Sequence, residues 1–174
     1  MTSSPVIRID RVVPLAFTGD EAALVEALRA NHPGAKAAFF QRYVKRVERI
    51  ITHVLGFDAE LPDVLQEVFA AALSSIHGLH EPSALEAWLA SVAALTARKV
   101  LRTRSRRSWL RRLTDSTEDD QYEPAAPGVD VEGRRALRGV YSSLSKLPAD
   151  ERIAFALRFI DGMELTEVAA ACSV

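Results

Sequence analysis

Between Leu61 and Ile76 the apolar residues Val64, Leu65, Val68, Phe69, Ala72, Leu73 and Ile76 recur at three-and-four spacing. That period fits one buried stripe of a helix and no strand. A second helix is predicted from Leu85 to Arg107, with Leu85, Trp88, Leu89, Val92, Thr96 and Val100 as its buried stripe. The outward positions of the two differ in character. Asp63, Gln66, Glu67 and Ala70 give the first a polar, acidic face, whereas Arg98, Arg102 and Arg106 follow one another at four-residue steps along the second. Like charges at that spacing repel in an isolated helix, so a polyanionic partner accounts for them.

The charge is blocked rather than mixed. Eight of the 22 Lys and Arg residues lie between Arg98 and Arg112, and seven acidic residues follow between Asp115 and Glu132, so a net charge of −1 conceals two opposed segments. A hydrophobic content of 48% supplies a core. No run approaches the roughly 18 apolar residues of a membrane span. The amino terminus lacks a basic start followed by an apolar signal core, so a cytoplasmic protein is expected. Cys172 has no second cysteine to pair with and, among Ala169 to Val174, reads as a small buried hydrophobe.

Residues 1–17, with Pro5 and Pro14 and no helical period, read as an extension. Thr18 and Glu21 have capping-box spacing before Leu24, Val25 and Leu28, and His32, Pro33 and Gly34 then interrupt the helix. A longer helix follows, burying Phe39, Phe40, Tyr43, Val44, Val47, Ile50, Ile51, Val54 and Leu55, with Gly56 as its stop. These helices and the two above make a helical domain over residues 18–112. Residues 113–133 lose the apolar period and read as a flexible acidic linker, in which Glu118, Asp119 and Asp120 are a solvated charge run rather than a magnesium site. Residues 134–174 resume with Arg134 to Leu147, break at Pro148, and continue as Asp150 to Ile160 with Ile153, Ala156, Leu157 and Ile160 on one face. Asp161 and Gly162 end that helix before Leu165 to Cys172. No segment sustains two-residue alternation, so the fold class is all-α.

The string D-V-L-Q-E-V-F from Asp63 to Phe69, with L-E-A-W-L-A-S-V-A from Leu85 to Ala93, resembles region two of bacterial extracytoplasmic-function sigma factors. L-P-A-D-E-R, followed by L-R-F-I-D-G-M-E-L-T-E-V-A from Leu157 to Ala169, resembles the start of region four, a helix-turn-helix. The expected architecture is a region-two bundle joined by the linker to a small region four, which stops at Val174, about where its recognition helix should begin. The resemblance implies core RNA polymerase and promoter DNA as partners, and an anti-sigma factor as a further one. Two departures stand out. Ala94 and Leu95 occupy positions where the family commonly has an Arg-Asn pair, and Glu86 one where a basic residue is common.

On this resemblance Asp63, Val64, Gln66 and Glu67 are the expected polymerase-binding residues. Arg98, Lys99, Arg102, Arg104, Arg106 and Arg107 suit promoter phosphates, and Trp109 is either a base-stacking residue or an anchor. The loop His77 to Ser83, through His77, His80 and Ser83, is expected to capture an unstacked minus-ten base. His77 and His80 have no further ligands nearby, so neither metal nor cofactor is expected. No nucleophile–base or phosphate-loop motif points to an enzyme. The alternatives are a sigma-like interaction protein that does not open promoters, and a stand-alone helix-turn-helix regulator.

Overall fold

The computed structural model describes residues 17–56, 60–113, 139–144 and 146–172, with the side chains of the long fourth helix described as far as Arg107. The described residues are helical, without strands. The extension before Phe17, the acidic stretch 114–138 and the side chain of Trp109 lie outside them. In chain order the helices are α1 (Glu21–Arg29), α2 (Pro33–Leu55), α3 (Leu61–Ser75), α4 (Leu85–Leu113), α5 (139–144), α6 (Ala149–Phe155) and α7 (Leu165–Cys172). Short 3₁₀ turns at Ile76–Gly78 and Pro82–Ala84 join α3 to α4.

Local chemistry sets the boundaries. Asp20, not Thr18, caps α1, its Oδ1 accepting from the Ala23 amide at 2.8 Å. Asn31, at φ 57°, turns the chain from α1 to His32, the residue before Pro33 at the first turn of α2. Gly56, at φ 84°, ends α2 as its position predicts. Beyond α6 the helix widens over Ala156–Ile160, where the Asp161 amide donates to the Ala156 carbonyl five residues back, and Gly162 at φ 78° then turns the chain.

The expected stripe of α3 is buried at Val64, Val68, Phe69 and Ala72 and continues into Ile76. On α2, Phe40 departs from expectation at 42% exposed, its ring lying against Phe69 at 4.8 Å. The stripe of α4 is broader than predicted and rotated from it. Ala90, Ala93, Ala94 and Ala97 are buried with Leu85, Leu89 and Thr96, while Trp88, Val92 and Val100 are only partly covered. The reason is that α4 packs against α2, α3, α6 and α7 together, and small side chains let several helices approach one axis.

Helices α6 and α7 therefore do not stand apart. Ile153, Leu157, Met163, Val168 and Ala171 belong to the same apolar core as α1 to α4. Asp161, whose side chain is 1% exposed, pairs with Arg46 of α2: Oδ2 meets Nη2 at 2.7 Å and Nε at 3.1 Å. Arg49 adds a longer contact at 3.4 Å, and Arg46 also reaches Glu86 at the start of α4. Arg152 donates from Nη1 to the Val54 carbonyl at 3.2 Å, joining α6 to the end of α2.

Two outcomes follow from this packing. Asp161→Ala leaves Arg46 without its most buried partner and is expected to lower the urea-derived unfolding free energy by about 3 kcal/mol. Tyr43 donates to Glu21 Oε1 at 2.8 Å, and burial together with that carboxylate raises its pKa to about 12. The folded state thus favours the neutral phenol, a contribution fully present below pH ~10 and lost as pH rises through the folded value. Tyr43→Phe should flatten the fall in stability above pH ~10 in alkaline melts.

Candidate nucleic-acid interface

The described basic side chains of α4, from Arg98 to Arg107, divide into three groups by what they touch. Arg102 and Arg106 are exposed, four residues apart, and have no partner among the described residues. Lys99, Arg104 and Arg107 turn toward α3: Lys99 Nζ meets Glu67 Oε1 at 2.6 Å, Arg104 Nη2 meets Glu60 Oε2 at 3.2 Å, and Arg107 Nη1 lies 4.0 Å from Glu60 Oε1. Arg98 turns the other way. Its Nε lies 2.6 Å from Asp150 Oδ1 and its Nη2 donates to the Cys172 carbonyl at 3.0 Å, leaving the side chain 12% exposed. The expected row of Arg98, Arg102 and Arg106 is thus open to a phosphate only at its last two members.

The acidic face of α3 carries Asp63, Gln66 and Glu67 outward, and all three are exposed. Val64 is 5% exposed and sits in the core, so its side chain offers little to a partner. Between α3 and α4 lies a cleft of about 250 Å³, whose walls include Asp63, Glu67, Lys99, Thr103 and Arg104. Its opposed charges leave a partner free to compete for either wall. The Lys99–Glu67 pair is 72% and 44% exposed, so it is worth at most about 1 kcal/mol and exchanges readily for an intermolecular contact.

His77, His80 and Ser83 are exposed on the loop between α3 and α4. They flank Leu79, whose side chain is 4% exposed in the core. Glu81 accepts from the Ser83 hydroxyl at 3.1 Å, shaping the second 3₁₀ turn. No group of three or more His, Cys, Asp or Glu able to hold a metal occurs among the described residues. Nor is any described helix long and apolar enough to cross a membrane.

Residues 39–107, from Phe39 on α2 through Arg107 on α4, match the family model for sigma-70 region 2. The ECF RNA polymerase sigma-E factor of Escherichia coli strain K12 is 27% identical over 154 residues, covering 84% of this chain and 80% of the relative. Its counterpart in Haemophilus influenzae is 28% identical over 153 residues with the same coverage, and that of Salmonella typhimurium LT2 is 27% identical over 154. Residues 39–107 thus carry a sigma-70 region 2, and over most of its length the chain is similar to extracytoplasmic-function sigma factors.

The geometry bears on one departure of this chain from the pattern it resembles. Glu86 stands where a basic residue is common because here it is a second partner of Arg46. Ala94 is 1% exposed, in a core position with no room for a long charged side chain, whereas the neighbouring Leu95 is 50% exposed. Three groups were missed in the sequence: Arg46, Asp161 and Glu60. Arg46 and Asp161 are 115 residues apart and Glu60 and Arg104 are 44 apart, so no local period or motif signals either pairing.

Proposed function

We propose that this chain is an extracytoplasmic-function sigma factor that initiates transcription by binding core RNA polymerase through the exposed face of α3 and promoter DNA through α4 and the loop before it. The observation that carries the reading is the sigma-70 region 2 match over residues 39–107, which spans the acidic face of α3, the loop and the basic stretch of α4. Asp63, Gln66 and Glu67 hold the polymerase, where exposed charges serve specificity and encounter rate more than affinity. Val64 supports that face from below. Acting on the polymerase places the protein in the cytoplasm.

Arg102 and Arg106 take the first phosphates, and Lys99, Arg104 and Arg107 join them by exchanging their α3 carboxylates for phosphate oxygens. Arg98 contributes only once α6 and α7 move away from α4, because its guanidinium is otherwise spent on Asp150 and the Cys172 carbonyl. His77, His80 and Ser83 contact an unstacked minus-ten base, the loop supplying the sequence preference and the arginines the register. Residues 18–112 act as the polymerase- and promoter-binding unit, and residues 134–174 act as the region-four-like unit beyond the linker 113–133.

A second reading, polymerase binding without promoter opening, is favoured by the occupied state of Arg98. Permanganate reactivity of promoter thymines in the complex with core polymerase separates the two: reactive thymines support opening, and their absence supports the second reading.

Reversing charge with Asp63→Lys and Glu67→Lys together is expected to weaken binding to core polymerase by about tenfold or more in fluorescence anisotropy, with helical content unchanged by circular dichroism. Unaltered affinity would remove α3 from the interface. Replacing Arg102 and Arg106 by Ala should flatten the slope of log K against log salt for duplex DNA by about 1–2. An unchanged slope would move the phosphate contacts elsewhere.

A further inference from the structure

The loop between α3 and α4 is exposed at both flanks and fixed at its centre. Leu79 anchors it twice. Its side chain lies in the core beside the buried Ile76, and its carbonyl accepts a hydrogen bond from Nη2 of Arg29, at the last turn of α1. Arg29 is itself oriented by Glu26, whose Oε1 meets Nη1 at 2.6 Å one turn earlier. The end of α1 that carries Arg29 is held in place by the Asn31 turn, where the Asn31 amide donates to the Leu28 carbonyl and the His32 amide to the Ala27 carbonyl, each at 2.9 Å. Helix α1 also packs against both 3₁₀ turns of the loop. A charged donor on a fixed helix end thus reaches fifty residues along the chain to one peptide group, two residues beyond His77 and one before His80.

We propose that Arg29 is a positioning residue for base readout by this loop, an inference that rests on the loop being the reader of the minus-ten element. It does not touch the base. By holding the Leu79 carbonyl it fixes the peptide that leads into His80, while the Leu79 amide, donating to the Ile76 carbonyl at 3.2 Å, closes the turn that carries His77, so the loop meets DNA already in its bound shape. Preorganisation of this kind raises affinity for the sequence that fits without adding a contact. It leaves phosphate binding along α4 untouched. Lysine cannot substitute fully, because a single ammonium does not offer the forked donors that reach Glu26 and the Leu79 carbonyl together.

The test uses the full chain bound to core polymerase and a single-stranded DNA selected by that wild-type complex from a random pool, with a scrambled strand as control. The quantity read is the ratio of the two affinities. Arg29→Ala is expected to lower that ratio by about tenfold, the scale of losing one hydrogen bond from a charged donor. Affinity for the scrambled strand and for polymerase should stay the same, and Arg29→Lys should restore the ratio only in part. Should Arg29→Ala fold poorly in thermal melts, Glu26→Ala keeps the guanidinium but removes its orientation, and a smaller fall in the same ratio is expected. An unchanged ratio in the folded variant, while His77→Ala with His80→Ala abolishes discrimination, overturns the role of Arg29. If the histidine double variant also leaves the ratio unchanged, or no preferred strand emerges from the pool, the loop is not the reader and the proposal falls with it.

Discussion

A buried carboxylate ties the late helices to the early ones. Asp161 is almost wholly withdrawn from water, and a withdrawn carboxylate is tolerable only with a cation in good geometry beside it. Arg46 supplies that cation from the middle of α2, and Glu86 fixes the guanidinium from the other side. Around this pair the apolar side chains of α6 and α7 complete a core that α1 to α4 would otherwise leave open along α4. The pair contributes less through attraction than through the penalty on any other arrangement, since a shifted α6 would leave Asp161 buried alone.

The same economy of charge governs α4. Its cations lie on one helix yet serve different neighbours, because a helix with partners on several sides turns successive guanidinium groups toward each of them. Those aimed at α3 neutralise the acidic edge formed by Glu60 and Glu67. Arg98, aimed at α6 and α7, binds a carboxylate and a carbonyl that a phosphate would have to replace. Closure over α4 and full use of its basic row are therefore exclusive states of one side chain. The exposed ion pairs toward α3 are weak enough to trade, whereas the bond from Arg98 to the Cys172 carbonyl is part-buried and tied to the backbone of α7.

Features that depend on near neighbours in the chain were legible in the sequence. The stripe of α3, the stop at Gly56 and the turn at Asp161 and Gly162 rest on helical period or on backbone freedom, and each appears where expected, while the break between α1 and α2 falls just before Pro33, which with Gly34 opens α2. Cys172 is buried, as its apolar surroundings imply, and burial pushes its thiol pKa up. Features that depend on distant partners were not legible. The buried face of α4 differs from its large-residue stripe because a helix with one neighbour buries its large residues, while this one, with four, buries its alanines as well. Arg29, Arg46 and Asp161 each look like ordinary polar positions until the fold brings their partners to them. Thr18 has the spacing of a capping box, but Asp20 directly precedes the helix and its carboxylate accepts from the Ala23 amide to make the cap.

Helices α6 and α7 share one apolar core with α1 to α4 and are expected to unfold with them as one cooperative unit. Native-state hydrogen exchange of the free wild-type chain tests it most directly, read at the amides of Val168 to Cys172 against those of Val47 to Leu55. One unit predicts that both sets open with similar free energy and respond alike to added denaturant. Exchange of the α7 amides at the rate of a frayed terminus, with α2 still protected, would contradict the account.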